Sequence, residues 1–189
     1  MDISRQNCEK NYWKFVLILV VCLFVRLIPF RPPNIEPILA VQMPLAKIYG
    51  AFPGFFLGFL SIIFYDIITH TIGAWTIITA FSYGVLGLWA AYFFQKRQAS
   101  SFNFVIFAIV GTLFFDAATG LSVGPLFFHQ SFYSALVGQI PFTLLHLLGD
   151  IIFAAVLSPV VYRFALSSKK KLKQVSVVDA LNMFHPKII

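Results

Sequence analysis

The sequence consists largely of long apolar stretches that charged residues rarely interrupt. Between Phe15 and Tyr162 the only charged residues are Glu36, Asp66, Asp116, Asp150, Arg26, Arg31, Lys47, Lys96 and Arg97. Hydrophobic residues make up 59% of the 189 residues and charged residues 11%, and the mean hydropathy is +0.85. A soluble globular domain is far less apolar than this. The chain is therefore predicted to be an integral membrane protein.

Proline, glycine and charge divide these stretches into six apolar runs. A bilayer core of about 30 Å requires roughly 20 helical residues to cross. The runs cover residues 13–29, 35–49, 55–70, 74–94, 102–121 and 134–166. The second run is short and contains Pro37, Pro44 and Lys47, so we expect its helix to be tilted or broken. The pattern predicts an all-α membrane protein, with a six-transmembrane-helix bundle in residues 1–168 and a short basic tail in residues 169–189.

The positions of the basic residues predict the orientation of this bundle. Six crossings place both termini on the same side as the connection that contains Lys96 and Arg97. The amino-terminal segment is also basic, and the tail contains Lys169, Lys170, Lys171 and Lys173. Because basic connections stay in the cytoplasm, we expect both termini to be cytoplasmic. Residues 175–184 of the tail can form an amphipathic helix on the inner leaflet or remain solvated.

A short motif with the pattern Phe-aromatic-Asp-x-x-Thr occurs twice, at residues 64–69 and 114–119. Each copy lies near the end of an odd-numbered run, so Asp66 and Asp116 are expected near the outer surface. Ionisable groups within a membrane span usually face the bundle interior or a water-filled cavity. Two interpretations follow from this. Either the carboxylates face a binding cavity, or they cap the next turn or pair with Arg26 or Arg31.

His146 and Asp150 are four residues apart in the last run, so they share one face of a helix. If that helix begins at Gly138, they lie about 12 and 18 Å below its outer end, close to the middle of the membrane. A His-Asp pair at this depth can relay protons or hold a ligand. A mutually satisfied pair that fixes helix contacts is the interpretation we favour.

Two further patterns can serve either packing or binding. Gly50, Gly54 and Gly58 recur every four residues, and such a ladder lets helices approach closely, either within the bundle or against another membrane subunit. The predicted outer connections are rich in aromatic and imidazole side chains, which can anchor the protein at the interface or line a pocket for a flat heterocycle. These residues are Trp75, Phe127, Phe128, His129, Phe132 and Tyr133.

Several functional classes receive no support from the sequence. A net charge of +7 suggests a nucleic-acid partner, but the basic residues cluster at a few membrane-flanking positions, so no nucleic-acid interface is predicted. Cys8 and Cys22 are too few and too differently placed for a disulfide framework or a metal site. The sequence contains no nucleophile elbow, zinc-protease motif or phosphate-binding glycine loop. We therefore expect no enzymatic activity, no cofactor and no metal.

Five stretches resemble the S components of energy-coupling factor transporters. They are residues 32–40 (Pro-Pro-Asn-Ile-Glu-Pro-Ile-Leu-Ala), 73–76 (Gly-Ala-Trp-Thr), 83–88 (Tyr-Gly-Val-Leu-Gly-Leu), 138–142 (Gly-Gln-Ile-Pro-Phe) and 146–150 (His-Leu-Leu-Gly-Asp). The similarity is to the uncharacterised and cobalamin-like members, and it touches nearly the whole chain. It implies a six-helix protein of the prokaryotic cytoplasmic membrane. Such a protein captures a vitamin, a cofactor precursor or a similar small molecule outside, and associates with a membrane coupling subunit and two cytoplasmic ATPases.

The resemblance also implies where the substrate and the coupling subunit bind. Carried onto this chain, the substrate-binding residues are Asn34, Glu36, Asp66, Thr69, Trp75, Asp116, His129 and Gln139. Many members have an Ala-x-x-x-Ala pattern on the first helix for the coupling subunit, whereas residues 13–29 contain neither Ala nor Gly. Docking is therefore expected at Gly50, Gly54 and Gly58 instead.

Two alternatives from other classes remain at the level of the sequence. A free-standing secondary carrier would use the buried aspartates to couple transport to protons. An intramembrane enzyme would use His146 and Asp150, or the two Asp-Thr sites, as acid-base groups. The identity of the substrate cannot be derived from the sequence, because one scaffold accommodates many ligands.

Overall fold

The computed structural model describes residues 12–29 and 36–167. In these residues all regular structure is α-helical, as the apolar runs predict. The helices are α1 (Tyr12–Arg26), α2 (Ile38–Tyr49), α3 (Ala51–Ile68), α4 (Ala74–Gln95), α5 (Ser101–Phe127) and α6 (Phe132–Leu166). Some sequence predictions fall on positions outside the described residues. These are Asn34, Arg31, Cys8, the basic tail at 169–189 and the amphipathic segment at 175–184.

Four helices, α3 to α6, are long and apolar enough to cross a membrane. Their outward faces are apolar as well. A stripe along α6 recurs every four residues, and each member is more than half exposed: Leu144, Leu148, Ile152, Val156 and Val160. Such a stripe is stable against lipid tails rather than against water. The chain is therefore a multi-pass membrane protein.

Successive helices run antiparallel, and the contacts between them define two ends of the bundle. At one end the Lys14 ammonium donates to the carbonyls of Phe164 and Ser167, which joins the start of α1 to the end of α6. At the same end Lys47 donates to the carbonyls of Phe94 and Arg97, at 2.8 and 2.7 Å. We call this end, with Lys14, Lys47, Lys96 and Arg97, the basic end. The other, called the opposite end, contains the α3–α4 and α5–α6 connections.

Helix α2 is the centre of the bundle and contacts all five other helices. Ten of its residues are buried, although it has only 12 and is shorter than a full crossing requires. It is continuous through Pro44 rather than broken there. Pro44 cannot donate to the carbonyl of Ala40, and that carbonyl accepts a 2.7 Å hydrogen bond from the Ser158 hydroxyl of α6 instead.

The glycine ladder packs inside the bundle. A Cβ atom at Gly54 would strike Ala46 of α2 and the backbone of Gly87 of α4, and one at Gly58 would strike Gln42 and Tyr83 of the same two helices. Gly50 has a φ of 102° and joins α2 to α3 as a single connecting residue, a conformation that glycine adopts readily. The ladder therefore provides close approach within the chain. Gly54 and Gly58 are buried within the chain, which favours the internal-packing alternative for these two residues over a subunit interface.

The last two helices extend beyond their predicted ends. Helix α5 continues to Phe127 instead of ending near 121, and α6 begins at Phe132, just after its N-cap Ser131. With 27 and 35 residues they rise about 40 and 52 Å, which exceeds the bilayer core.

Candidate functional site

A cluster of polar side chains lies between α5 and α6. Asp116 Oδ1 is 2.7 Å from Nδ1 of His146, and the Thr112 hydroxyl donates to Asp150 Oδ2 at 2.6 Å. Nε2 of His146 is 3.5 Å from the same Asp150 oxygen. Thr112 and Asp116 are one turn apart on α5, as are His146 and Asp150 on α6, so four side chains from two antiparallel helices form one layer. We call Thr112, Asp116, His146 and Asp150 the α5–α6 cluster.

The cluster is buried and incompletely paired. The exposed fractions are 0% for Thr112, 1% for Asp116, 2% for Asp150 and 3% for His146. Asp116 Oδ2 and His146 Nε2 have no hydrogen-bond partner. A buried polar atom without a partner costs about 1–3 kcal/mol, and more when the group is charged. This arrangement therefore carries a cost that simple helix packing does not require.

Aromatic rings surround the imidazole. The ring centroids of Phe115 and Phe142 lie 5.8 and 6.0 Å from that of His146, and both rings are nearly perpendicular to it. Phe115 also packs on Tyr83 of α4 at 4.3 Å. The polar cluster is therefore packed against aromatic side chains of α4, α5 and α6.

A second charged pair joins α1 to the segment before α2. The Arg26 guanidinium is 3.3 Å from Glu36 Oε1, donates to the carbonyl of Ser61 at 2.9 Å and lies 4.1 Å from the ring centroid of Tyr65. Arg26 therefore pairs with Glu36, and the interpretation that it pairs with Asp66 or Asp116 is wrong.

Asp66 fixes the α3–α4 connection. It accepts hydrogen bonds from the hydroxyls of Thr71 and Thr76, and Thr76 Oγ1 in turn accepts from the backbone N–H of Gly73 at 3.1 Å. The Thr69 hydroxyl donates to the carbonyl of Tyr65 at 2.8 Å. This is the turn-capping interpretation of the first motif. Asp66 lies in the last turn of α3 and Thr69 is its C-cap, and their side-chain hydrogen bonds stay within α3, the connection and the start of α4.

The two motif copies share their helical geometry but differ in their partners. Asp66 and Asp116 each lie 15 residues after the first residue of their helix, Ala51 and Ser101, which places both about 22 Å from the basic end. The Thr119 hydroxyl bonds the carbonyl of Phe115 just as Thr69 bonds Tyr65. The repeat is therefore structural as well as sequential. The function of each carboxylate depends on which residue of the following helix it meets.

The remaining predicted residues lie toward the opposite end. Trp75, which is 37% exposed, contacts Phe128 with ring centroids 5.7 Å apart. His129 adopts a φ of 52° in the α5–α6 connection, which is uncommon for a residue with a side chain. Phe127, Phe132 and Tyr133 are exposed by 40%, 60% and 76%. Gln139 donates to the Thr143 hydroxyl at 3.3 Å and packs against Gly120.

The predicted site residues therefore fall into separate groups rather than one pocket. Asp116 belongs to the α5–α6 cluster, Glu36 to the Arg26 pair, Asp66 and Thr69 to the α3–α4 connection, and Trp75, His129 and Gln139 to the opposite end. Comparisons with family models, curated proteins and solved structures find no match. Within the described ranges, no group of three or more His, Cys, Asp and Glu residues is arranged to hold a metal ion.

The sequence interpretation missed three residues that complete the polar interior. Thr112 precedes Asp116 by one helical turn, and that spacing was the available signal. Tyr83, on α4, packs on Phe115 next to the cluster, and only its place in the Tyr-Gly-Val-Leu-Gly-Leu stretch marks it in the sequence. Gln42 is fully buried on α2, and its amide donates to the carbonyls of Gly54 and Tyr83 at 2.9 and 2.7 Å. A buried Gln in an apolar run is itself a signal, because it requires partners on neighbouring helices.

Proposed function

We propose that this chain is the substrate-binding S component of an importer of the energy-coupling factor type. It captures a vitamin, a cofactor precursor or a similar small molecule at the outer face of a prokaryotic cytoplasmic membrane. A membrane coupling subunit and two cytoplasmic ATPases then drive uptake, and the chain itself hydrolyses nothing. The residues that resemble this family support the proposal, together with the two features below.

The α5–α6 cluster is the observation that carries the proposal. Ionisable side chains within a membrane bundle are expensive, and they are retained where they bind or move something. Asp116 lies about 22 Å along α5 from the basic end, so in a core of about 30 Å it is nearer to the opposite end. The Trp75–Phe128 contact lies beyond it in that direction. A substrate from outside would reach Asp116 by displacing these aromatic side chains.

The charge distribution supports an orientation with six crossings and both termini in the cytoplasm. The basic end contains Lys14, Lys47, Lys96, Arg97 and Arg163, and basic residues next to a span favour the cytoplasmic side. In this arrangement α1 and α2 complete the six crossings. Because α2 is covered by other helices, its short length exposes little backbone to lipid.

Transport then requires the outer connections to close over the substrate before the bundle meets the coupling subunit. A ligand can shift the equilibrium between open and closed outer connections only through contacts that differ between these two states. We expect Trp75, Phe128 and His129 to supply such contacts, because they lie on the connections that must move.

The test begins with mass spectrometry of small molecules that stay bound to the detergent-purified chain. The retained compound is then radiolabelled, and its uptake is measured in cells that express the chain with or without a coupling subunit and both ATPases. We expect uptake only when all subunits are present. Uptake that persists without the ATPases would contradict the proposal.

A second candidate is a proton-coupled secondary carrier, favoured by one feature of the cluster. Asp116, His146 and Asp150 alternate carboxylate, imidazole and carboxylate, an order suited to proton transfer. For such a carrier, uptake would collapse with an uncoupler and survive loss of the ATPases. The uptake experiment described above therefore separates the two candidates.

A further inference from the structure

The α5–α6 cluster points to a chemical class of substrate. Resting on the proposed function, we propose that Asp116 and His146 form the polar end of the substrate site and receive a positively charged N–H donor group. The substrate would then carry an amidine, a protonated amine or a protonated nitrogen heterocycle. The proposal depends on the unpaired Asp116 oxygen, on the balance of charge within the cluster and on the neighbouring aromatic rings.

The unpaired atoms determine what the site can accept. Asp116 Oδ1 is engaged by His146 Nδ1, whereas Asp116 Oδ2 is unpaired although the side chain is 1% exposed. A carboxylate oxygen can only accept a hydrogen bond. His146 Nε2 is directed at Asp150 Oδ2, 3.5 Å away, so Asp116 Oδ2 is the acceptor that a ligand can satisfy. The group that completes the site must therefore be a donor.

The balance of charge selects a cationic donor. Two carboxylates of the cluster, those of Asp116 and Asp150, face the single imidazole of His146. When both are ionised, a protonated imidazole compensates only one of the two negative charges. Next to the site, α4 contributes the neutral Tyr83, which packs on Phe115. An uncompensated charge in a buried site is costly, and a cationic ligand would remove this cost.

The neighbouring aromatic rings favour the same class. Phe115 and Phe142 each pack nearly perpendicular to the His146 ring, and Tyr83 packs on Phe115. A cation near the face of an aromatic ring gains about 0.5–2 kcal/mol, more when it is desolvated. These rings also suit a flat ligand. They must shift to admit one, because the unpaired atoms are buried.

Three isosteric fragments test the proposal without knowledge of the natural substrate. Benzamidinium is flat, cationic and an N–H donor, benzamide is its neutral counterpart, and benzoate is anionic. Dissociation constants are measured by ligand-observed NMR with the full chain in nanodiscs at neutral pH. We expect benzamidinium to bind about tenfold or more tightly than benzamide, as a charge-assisted hydrogen bond implies, and benzoate to bind least. Equal binding of the three fragments, or no binding of benzamidinium, overturns the proposal.

One variant and its control test whether the preference for benzamidinium over benzamide depends on Asp116. Asp116→Asn keeps an oxygen for His146 Nδ1 and replaces the unpaired acceptor by an NH₂ donor, so the preference for benzamidinium over benzamide should disappear. Thr119→Val is the matched control one turn along α5, because the Thr119 hydroxyl bonds only its own helix. It should keep the full preference. A preference that survives Asp116→Asn overturns the assignment, and if that variant does not fold, the fragment comparison on the unmodified chain still decides.

The fragment-binding and uptake experiments test different claims, so either proposal can be contradicted without the other. Fragment discrimination without ATP-driven uptake would contradict the proposed importer and leave the cation site standing. ATP-driven uptake of a substrate, combined with equal fragment binding, would support the importer and overturn the cation site.

Discussion

Asp66 and Asp116 have the same sequence context and the same position along their helices, yet their surroundings differ. Asp66 meets two threonine hydroxyls and is satisfied within a connection. Asp116 meets a histidine 30 residues away and keeps one oxygen unpaired. The presence of a carboxylate in a membrane helix therefore does not by itself indicate a functional site. Its partner on the neighbouring helix decides whether it caps a turn or forms a site.

Thr112 should stabilise the cluster through Asp150. Thr112→Val keeps the shape of the side chain but removes the 2.6 Å hydrogen bond to Asp150 Oδ2 and leaves that carboxylate less satisfied. We expect a loss of about 1–3 kcal/mol, measured as the free energy of unfolding in detergent. Thr119→Val, whose hydroxyl bonds the carbonyl of Phe115 in its own helix, should change stability by much less. Equal losses in the two variants would show that the Thr112–Asp150 hydrogen bond stabilises the protein no more than a hydrogen bond within one helix does.

The sequence could predict only part of this site. The i, i+4 spacing placed His146 and Asp150 on one face, and their side chains do face each other. The contact between Asp116 and His146 depends on the register between two helices, which is set by packing along their whole length. Thr112 was missed for the same reason, since its importance appears only when Asp150 lies opposite.

At the scale of elements, α2 shows how much of an unusual helix its sequence predicts. Pro37, Pro44 and Lys47 correctly marked it as an unusual helix, and it is the shortest of the six described. Of the two predicted alternatives, a tilted or a broken helix, the break does not occur, because the carbonyl that Pro44 leaves free is satisfied by Ser158, 118 residues away. The sequence shows that Pro44 lacks a backbone N–H donor, but it does not show that a hydroxyl on α6 replaces that donor.

Ser158→Ala tests this replacement. It leaves the carbonyl of Ala40 without a donor in a fully buried position, so the unfolding free energy in detergent should fall by about 1–2 kcal/mol. Ser82→Ala is the control, because the Ser82 hydroxyl bonds the carbonyl of Ile78 in its own helix. A stability change in Ser158→Ala no larger than in the control would mean that α2 tolerates the free carbonyl.

The close packing of α3 against α4 depends on Gly58, and its contribution to stability can be measured. In Gly58→Ala the new Cβ would meet the backbone of Tyr83 and the amide of Gln42, so we expect a loss of about 1–3 kcal/mol in the unfolding free energy. Gly138 has open space where a Cβ would lie, so Gly138→Ala should be neutral or stabilising by about 0.4–1 kcal/mol. If Gly58→Ala retained full stability, the ladder could not be required for internal packing.

At the scale of the whole molecule, the alternating direction of the helices and the position of charge lead to one topology. The chain begins α1 and ends α6 at the basic end, where Lys14 bonds the last turn of α6. The α4–α5 connection, with Lys96 and Arg97, lies at that end, and the α5–α6 connection lies at the other. Each basic residue near an anionic inner leaflet contributes about 1 kcal/mol, so the basic end should face the cytoplasm.

Single-cysteine labelling tests this topology in intact cells. In a background in which Cys8 and Cys22 are replaced by Ser, we introduce Gln98→Cys in the α4–α5 connection or Gln130→Cys in the α5–α6 connection, both at exposed positions. A membrane-impermeant maleimide should label Gln130→Cys directly and Gln98→Cys only after the membrane is permeabilised. Phe107→Cys, at a buried position in α5, controls for non-specific reaction and should remain unlabelled in both conditions. Labelling of both exposed positions from outside would contradict the opposite placement of the two connections. Direct labelling of Gln98→Cys alone would mean that the bundle is inverted, with the unpaired Asp116 oxygen nearer to the cytoplasm and capture of an external substrate at that site excluded.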